Sequence, residues 1–265
     1  MGAWLLNLPV VWMSVVILGG LYLFAAALYA IVTALAVGER ARAFKAISPG
    51  MLPPLAILFA VLVGFLAAQV WSESDRANIA VNREASALRG VVLLAAAFPG
   101  EPETRLRDLV RRHIQDAVAQ EWAAMARGSV TLTIVPAPLA EALRFALTLG
   151  PKGEGQVAAQ REIVAAIQSA LEARRQRIIL SRSSINGVKW TALLVQAGLT
   201  LIAIALVHSD NRAANRIVLV IFATSVGVAI ILLAAHSRPF TGEIAVQPTV
   251  LLQVMPEVGP SGASP

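Results

Sequence analysis

The alternation of apolar and charged stretches divides the chain into five parts. Residues 3–38, 46–72, 190–209 and 217–237 contain no Asp, Glu, Lys or Arg. Each run reaches or approaches the roughly 20 apolar residues that a helix needs to cross a bilayer. Between the second and third runs lies a charged stretch in which apolar residues recur at helical spacing. The pattern predicts an all-α membrane protein, with four transmembrane helices and a helical soluble domain inserted between the second and third. Residues 1–72 would hold the first two spans, 73–187 the extramembrane domain, 188–240 the last two spans, and 241–265 a loosely ordered C-terminal tail.

Punctuation residues refine the elements. Asn7 and Pro9 start the first span and Gly38 stops it. Residues 39–45, with Glu39, Arg40, Arg42 and Lys45, read as a short loop. Ser48 is placed to cap the second span, with Pro49 in its first turn. Pro53 and Pro54 lack backbone donors, so the regular helix either starts near them or kinks there. From Trp71 no breaker follows before Gly90, so this helix should run straight on into the charged stretch and end at Pro99-Gly100. A helix over 103–127 has Leu106, Leu109, Val110, Ile114, Val118, Trp122 and Met125 on one face. Residues 128–138 form a linker, with Val130, Leu132 and Ile134 alternating, and 139–149 a short helix. A long helix over 156–185 has Val157, Val164, Leu171, Ile178 and Ile185 in a seven-residue seam. Asn186-Gly187 precedes the third span, and residues 208–215 form a hairpin before the fourth. Phe240, in the exit from the last span, reads as a membrane-interface residue, and the chain after 253 as loose.

Composition agrees with this division. Of the 265 residues 57% are hydrophobic and 14% charged, against roughly 25% charged in soluble domains. Residues 71–189 hold sixteen of the 22 Lys and Arg and twelve of the 16 Asp and Glu. The basic residues are interleaved with acids on helices, which favours attraction to anionic lipid headgroups over nucleic acid. The first run has no basic residues before it and exceeds a signal-peptide core in length, so it reads as a retained span. Four spans put the termini and the large domain on one side. Eight basic residues near span ends on that side, against five in the short loops, point to a cytosolic domain in a plasma (inner) membrane.

Little in the chain suggests covalent chemistry. There is no cysteine, which excludes thiolate catalysis and zinc–thiolate sites. His113, His208 and His236 lack ligand spacing and read as surface or interface residues. No phosphate loop, nucleophile elbow or zinc-protease motif is present. No cofactor, metal or enzymatic activity is expected. The four charge-free runs also lack the ionisable groups that ion-coupled pumps place within the membrane. Glu101–Arg105, Glu103–Arg107 and Asp108–Arg112 are helix-supporting pairs four residues apart.

The second span carries the most suggestive pattern. At about 100° per residue, positions 18 apart on a helix superpose. Leu58 and Arg76 are so related, as are Phe65 and Arg83, and Val61, Gln69 and Ser72 lie on the same side. In a ring of subunits this face would give a hydrophobic constriction at Leu58, Val61 and Phe65. Beyond it would lie a polar and basic vestibule at Gln69, Ser72, Arg76 and Arg83. Hydrophobic constrictions gate by dewetting, and basic rings favour anions. The plainer reading is a lipid-facing helix whose Arg76 and Arg83 pair with Glu73 and Glu84.

Several segments are similar to the bestrophin-like family of bacterial membrane proteins, a family of unassigned activity. They are Ser48-Pro49-Gly50 with Gly64-Phe65, Trp71 followed by Arg83-Glu84-Ala85, and Glu121-Trp122. Arg174 to Arg177 leading to Trp190, and Arg238-Pro239-Phe240-Thr241-Gly242, complete the set. The resemblance implies four spans with the helical domain between the second and third. Through distant similarity to bestrophins it also implies cytosolic termini, a homo-oligomer (a pentamer being the suggested number) and anion conduction along the second spans. No acidic cluster matches the calcium clasp of animal bestrophins, so calcium gating does not carry over. The expected function is an oligomeric, passive anion-permeable channel whose partners are the bilayer, its own copies and small anions. The alternative is a non-conducting membrane scaffold or sensor whose helical domain binds a partner.

Overall fold

The computed structural model describes residues 4–5 and 8–257. Among them there are helices and connecting coil but no strand. The helices are α1 (Val10–Leu35), α2 (Glu39–Lys45), α3 (Leu52–Ala95), α4 (Glu101–Asp116), α5 (Trp122–Ala126), α6 (Ala137–Thr148), α7 (Glu154–Ser181), α8 (Gly187–Val207), α9 (Arg212–His236) and α10 (Thr249–Gln253). Four are long and apolar enough to cross a membrane: α1, the helix starting at Pro49 that contains α3, α8 and α9.

The chain forms two compact units. One contains α1, α2, α3 through Ser72, α8 and α9. Its helices pack through Met13 and Ile17 of α1, Leu66 and Val70 of α3, Trp190 and Leu193 of α8, and Val226 and Ile230 of α9. Gly227 of α9 lets α1 approach closely, because a Cβ there would run into Leu18 and meet Leu21. Several polar groups in this unit are satisfied locally. Gln196 donates to the Leu55 carbonyl (3.1 Å), Tyr22 bonds Thr224 (2.9 Å), and Asn186 caps α8 by accepting from the Lys189 amide (2.9 Å).

The second unit contains α3 from Glu73, α4 to α7, residues 239–241 and α10. Its core joins Val81, Leu88 and Val91 of α3 to Leu106, Leu109 and Ile114 of α4, Leu139 of α6, and Ile163 and Ile167 of α7. The exposed pairs on α4 form as the spacing predicts: Glu101–Arg105 at 3.9 Å, Glu103–Arg107 at 2.9 Å and Asp108–Arg112 at 3.0 Å.

Several elements depart from the sequence reading. Residues 39–45 form a helix rather than a loop; these are good helix formers, with Glu39 in the first turn and Arg42 and Lys45 in the last. Gly38, at φ 59°, makes the turn into it. The late start near the prolines, one of the two readings of the sequence, does hold: Ser48 caps a 3₁₀ turn, Pro49–Met51, and the regular helix starts at Leu52, with Pro53 and Pro54 in its first turn. The helix expected over 103–127 contains a π-turn, Ala117–Glu121. Along α7 the seven-residue seam is mostly an edge: Val157, Val164 and Leu171 are half-buried, whereas Ala159, Ile163, Ile167 and Ala170 are buried. The buried stripe includes Arg174 and Arg177, whose charge hid it from a hydrophobic pattern.

The exit from α9 also differs. Phe240 is buried, edge-on to Trp122 with ring centroids 5.9 Å apart, rather than at a membrane interface. Val246 and Leu251 join the same core, and Arg111 holds the carbonyls of Pro256 (3.3 Å) and Glu257 (2.9 Å). The chain through 257 is therefore docked rather than loose; the expectation for 258–265, like the start signal at Asn7, lies outside the described residues.

Candidate functional site

In the membrane unit, much of the surface of α3 is exposed, Ile57 and Trp71 included. Leu58, Val61 and Phe65 are 58%, 52% and 75% exposed, while Phe59, Leu66, Ala67 and Val70 are buried in the bundle. Leu58, Val61 and Phe65 lie three and four positions apart, so they form one stripe within that surface. Gln69 is half-buried and accepts a hydrogen bond from the Lys189 ammonium. Sequence reading did not connect Lys189 with this stripe, because 120 residues separate it from Gln69. It places a cation against the first polar residue beyond Phe65. Ser72 is half-buried.

In the helical unit, α3 exposes Arg76 and Arg83. Glu84 is not Arg83's partner: it turns into the core and is taken by Arg177 and His113. Arg83 instead lines a groove of about 650 Å³ between α3 and α7, with Asn82, Ser86, Glu162 and Ser169.

The core of this unit holds an ionic cluster. Arg177 donates from Nε to Glu84 Oε2 (2.8 Å), and from Nη2 to Glu84 Oε1 (3.1 Å) and Glu121 Oε2 (2.9 Å). Arg174 donates to Glu121 Oε1 from Nε (2.8 Å) and to the Ile134 carbonyl from Nη1 (3.3 Å). His113 Nε2 lies 3.0 Å from Glu84 Oε1. The Arg177 guanidinium lies 4.5 Å from the Trp122 ring centroid, a cation–π arrangement, and Trp122 Nε1 donates to the Val246 carbonyl (3.0 Å). Glu84 and Arg177 are both 0% exposed.

Two carboxylates facing two guanidiniums make the cluster neutral with His113 uncharged. Burial alone would raise the pKa of Glu84, but the Arg177 charge and the bonds from His113 and Arg177 outweigh it and hold the carboxyl below its ordinary range. Glu121 behaves likewise: burial raises it, and the Arg174 bond with the charges of Arg177 and Arg174 lowers it further. For Arg177 burial lowers the pKa and the two glutamates more than reverse it. His113 is therefore a core residue bonded to a carboxylate, not the surface or interface residue its sequence context suggested. Among the described residues its Nδ1 is buried without a hydrogen-bond partner, while Nε2 faces Glu84. The π-turn falls where Glu121 and Trp122 reach Arg174 and Arg177; such turns recur at functional sites.

A family model of the Bestrophin-like domain matches residues 9–251. The chain belongs to that family. With four apolar helices of spanning length, this Bestrophin-like chain is a membrane protein. It is similar in fold to a bacterial bestrophin homologue from Klebsiella pneumoniae solved with an isoleucine-to-threonine substitution. The TM-score is 0.69 at 14% identity, covering 90% of this chain and 97% of that one. A leucine-to-threonine variant gives the same score and identity over 90% and 96%. A structure described as a membrane protein, with a proline-to-alanine substitution, gives 0.70 at 13% identity over 90% and 96%. None of the curated proteins matches the chain in sequence. Identities this low establish the fold, and function has to be argued from the residues.

Proposed function

We propose that this chain is one subunit of a homo-oligomeric, passive anion channel in the plasma (inner) membrane, with α3 of each copy facing a common axis. Leu58, Val61 and Phe65 would form the constriction. Gln69, Ser72, Arg76 and Arg83 would form the vestibule, joined by Lys189. The termini and helical unit would be cytosolic. The observation that carries the reading is the exposed stripe of Leu58, Val61 and Phe65 on a helix that buries Phe59, Leu66, Ala67 and Val70 on another side. Among the described residues nothing covers Phe65, which is 75% exposed, and a ring of copies would turn three such residues into a dewetting gate. Family membership supports the same assignment, since conduction is what similarity to bestrophins implies.

Purified oligomers reconstituted into liposomes should release trapped chloride down its gradient. Phe65→Ala should raise that flux several-fold by widening the constriction, and Arg83→Glu should lower the preference for anions over cations. Intact oligomers that pass no anion would overturn the reading. The α3–α7 groove around Arg83 favours a second reading, a non-conducting scaffold whose helical unit binds a partner. That reading predicts a monomer or silent oligomer, with Phe65 facing lipid.

A further inference from the structure

A second feature of the membrane unit lies away from the bare stripe of α3. Between α1 and α9 is a cleft of about 280 Å³. Its floor is apolar, with Ala25, Leu219 and Val220, and Tyr22, Tyr29 and Arg216 line the rest. The chain has two tyrosines, and both line this one cleft. Tyr22 is tied to Thr224 of α9 (2.9 Å). The Arg216 guanidinium stands 5.8 Å from the centroid of Tyr29, and no carboxylate pairs with it among the described residues. Its one hydrogen bond there is a long one, 3.4 Å, to the Arg212 carbonyl.

The position of Arg216 gives this arrangement its chemistry. It lies in the second turn of α9, about 6 Å along the axis from Arg212 at 1.5 Å per residue, and the charge-free run starts at the next residue, Ile217. A cation is thus set at the edge of the hydrocarbon, where amphipathic tyrosines also settle. The N-terminus of α9 adds its positive partial charge to the same end.

We propose that this cleft binds an anionic glycerophospholipid, with the phosphate on Arg216, the glycerol region against Tyr29, and an acyl chain along the Ala25, Leu219 and Val220 floor. A free anion would not require the apolar floor, and a zwitterionic lipid would make less use of an unpaired arginine. The site is independent of whether the channel conducts.

The test uses full-length protein, with lipid retention read by native mass spectrometry. The probes are palmitoyl-oleoyl phosphatidylglycerol, the corresponding phosphatidylcholine, and glycerol 3-phosphate as the headgroup alone. Phosphatidylglycerol should be retained preferentially. Arg216→Gln should cut that preference about fivefold, the equivalent of the ~1 kcal/mol that a basic residue contributes beside an anionic membrane surface. Val220→Trp, which fills the cleft, should displace the tightly held lipid. Arg40→Gln, on α2 and outside the cleft, should leave the preference intact. Arg216 and Arg40 are both exposed, so neither change disturbs a core. A preference that survives Arg216→Gln would overturn the proposal. So would an equal loss from Arg40→Gln, which marks diffuse surface attraction, or glycerol 3-phosphate binding as tightly as the lipid.

Discussion

Replacing Arg177 with methionine roughly keeps the length of the side chain and removes the cation that bonds both the buried Glu84 and the part-buried Glu121. Three charge-assisted hydrogen bonds of 2.8, 3.1 and 2.9 Å disappear. Glu121 keeps Arg174, but Glu84, at 0% exposure, keeps His113 alone. Removing one partner of a buried ion pair costs about 3–5 kcal/mol, because the other charge stays desolvated. At roughly 2–4 °C per kcal/mol for a chain of this size, the melting temperature should fall by roughly 6–20 °C near neutral pH. Intrinsic fluorescence during a thermal ramp is a suitable assay, since Trp122 lies against Arg177 and reports on the cluster.

The pH dependence makes the test sharper. In the parent protein the folded pKa of Glu84 lies below its ordinary value of 4.5, so its contribution is complete above that value and fades as pH falls through the folded pKa. In Arg177→Met the burial remains while the largest opposing influence is gone, so the folded pKa should lie above the ordinary value. The penalty is then greatest at neutral pH and shrinks on acidification towards pH 5, opposite in sign to the parent. Glu84→Leu combined with Arg177→Met should recover most of the loss, because a buried pair exchanged for apolar residues is often neutral or stabilising. A fall of less than about 2 °C at neutral pH, on the scale above, would refute the argument. So would a deficit that does not change between pH 8 and pH 5, or a double variant no better than the single one.

Because Glu84 and Glu121 are both held below their ordinary value of 4.5, the melting temperature of the parent should stay level from pH 7 to about pH 5 and drop below that; a level profile down to pH 3 would contradict it. Gly227→Val should loosen α1 from α9, since even a Cβ meets Leu18, at a cost of about 1–3 kcal/mol for an overpacked site; a melting temperature equal to the parent's would show that Leu18 moves aside freely. Asn186→Ala removes the acceptor that caps α8 and should cost about 0.5–2 kcal/mol, measured as a lower melting temperature that Asn186→Asp restores.

What was legible in the sequence was largely local. The spans follow from runs of apolar residues, because a helix in hydrocarbon must satisfy its own backbone and shed its charges. The unbroken continuation of the second span past Trp71 follows from the absence of Gly and Pro before Gly90, and α3 does run from Leu52 to Ala95. The stripe of Leu58, Val61 and Phe65 could be drawn from helical spacing alone, and the structure leaves those residues exposed. Whether they face an axis depends on other copies of the chain.

What the sequence hid was mostly charge in the wrong place. Arg174, Arg177, Glu84, Glu121 and His113 each look like solvent-facing polar residues when scanned along their own helices. Their burial is possible because Glu84 and Arg177 meet across 93 positions, and Glu121 and Arg177 across 56. The same holds for Phe240 on Trp122 and for Lys189 on Gln69.

The sequence by itself determined how many helices are apolar enough to span a membrane and roughly where each lies along the chain. Those properties depend on the spacing of neighbours on one helix. The tertiary structure decided which charges are buried together, where the chain after Arg238 docks, and that Tyr22, Tyr29 and Arg216 share one cleft. Each of those depends on residues distant in sequence being brought within a few ångströms, where desolvation and Coulomb attraction settle whether a charge is tolerated or must be paired.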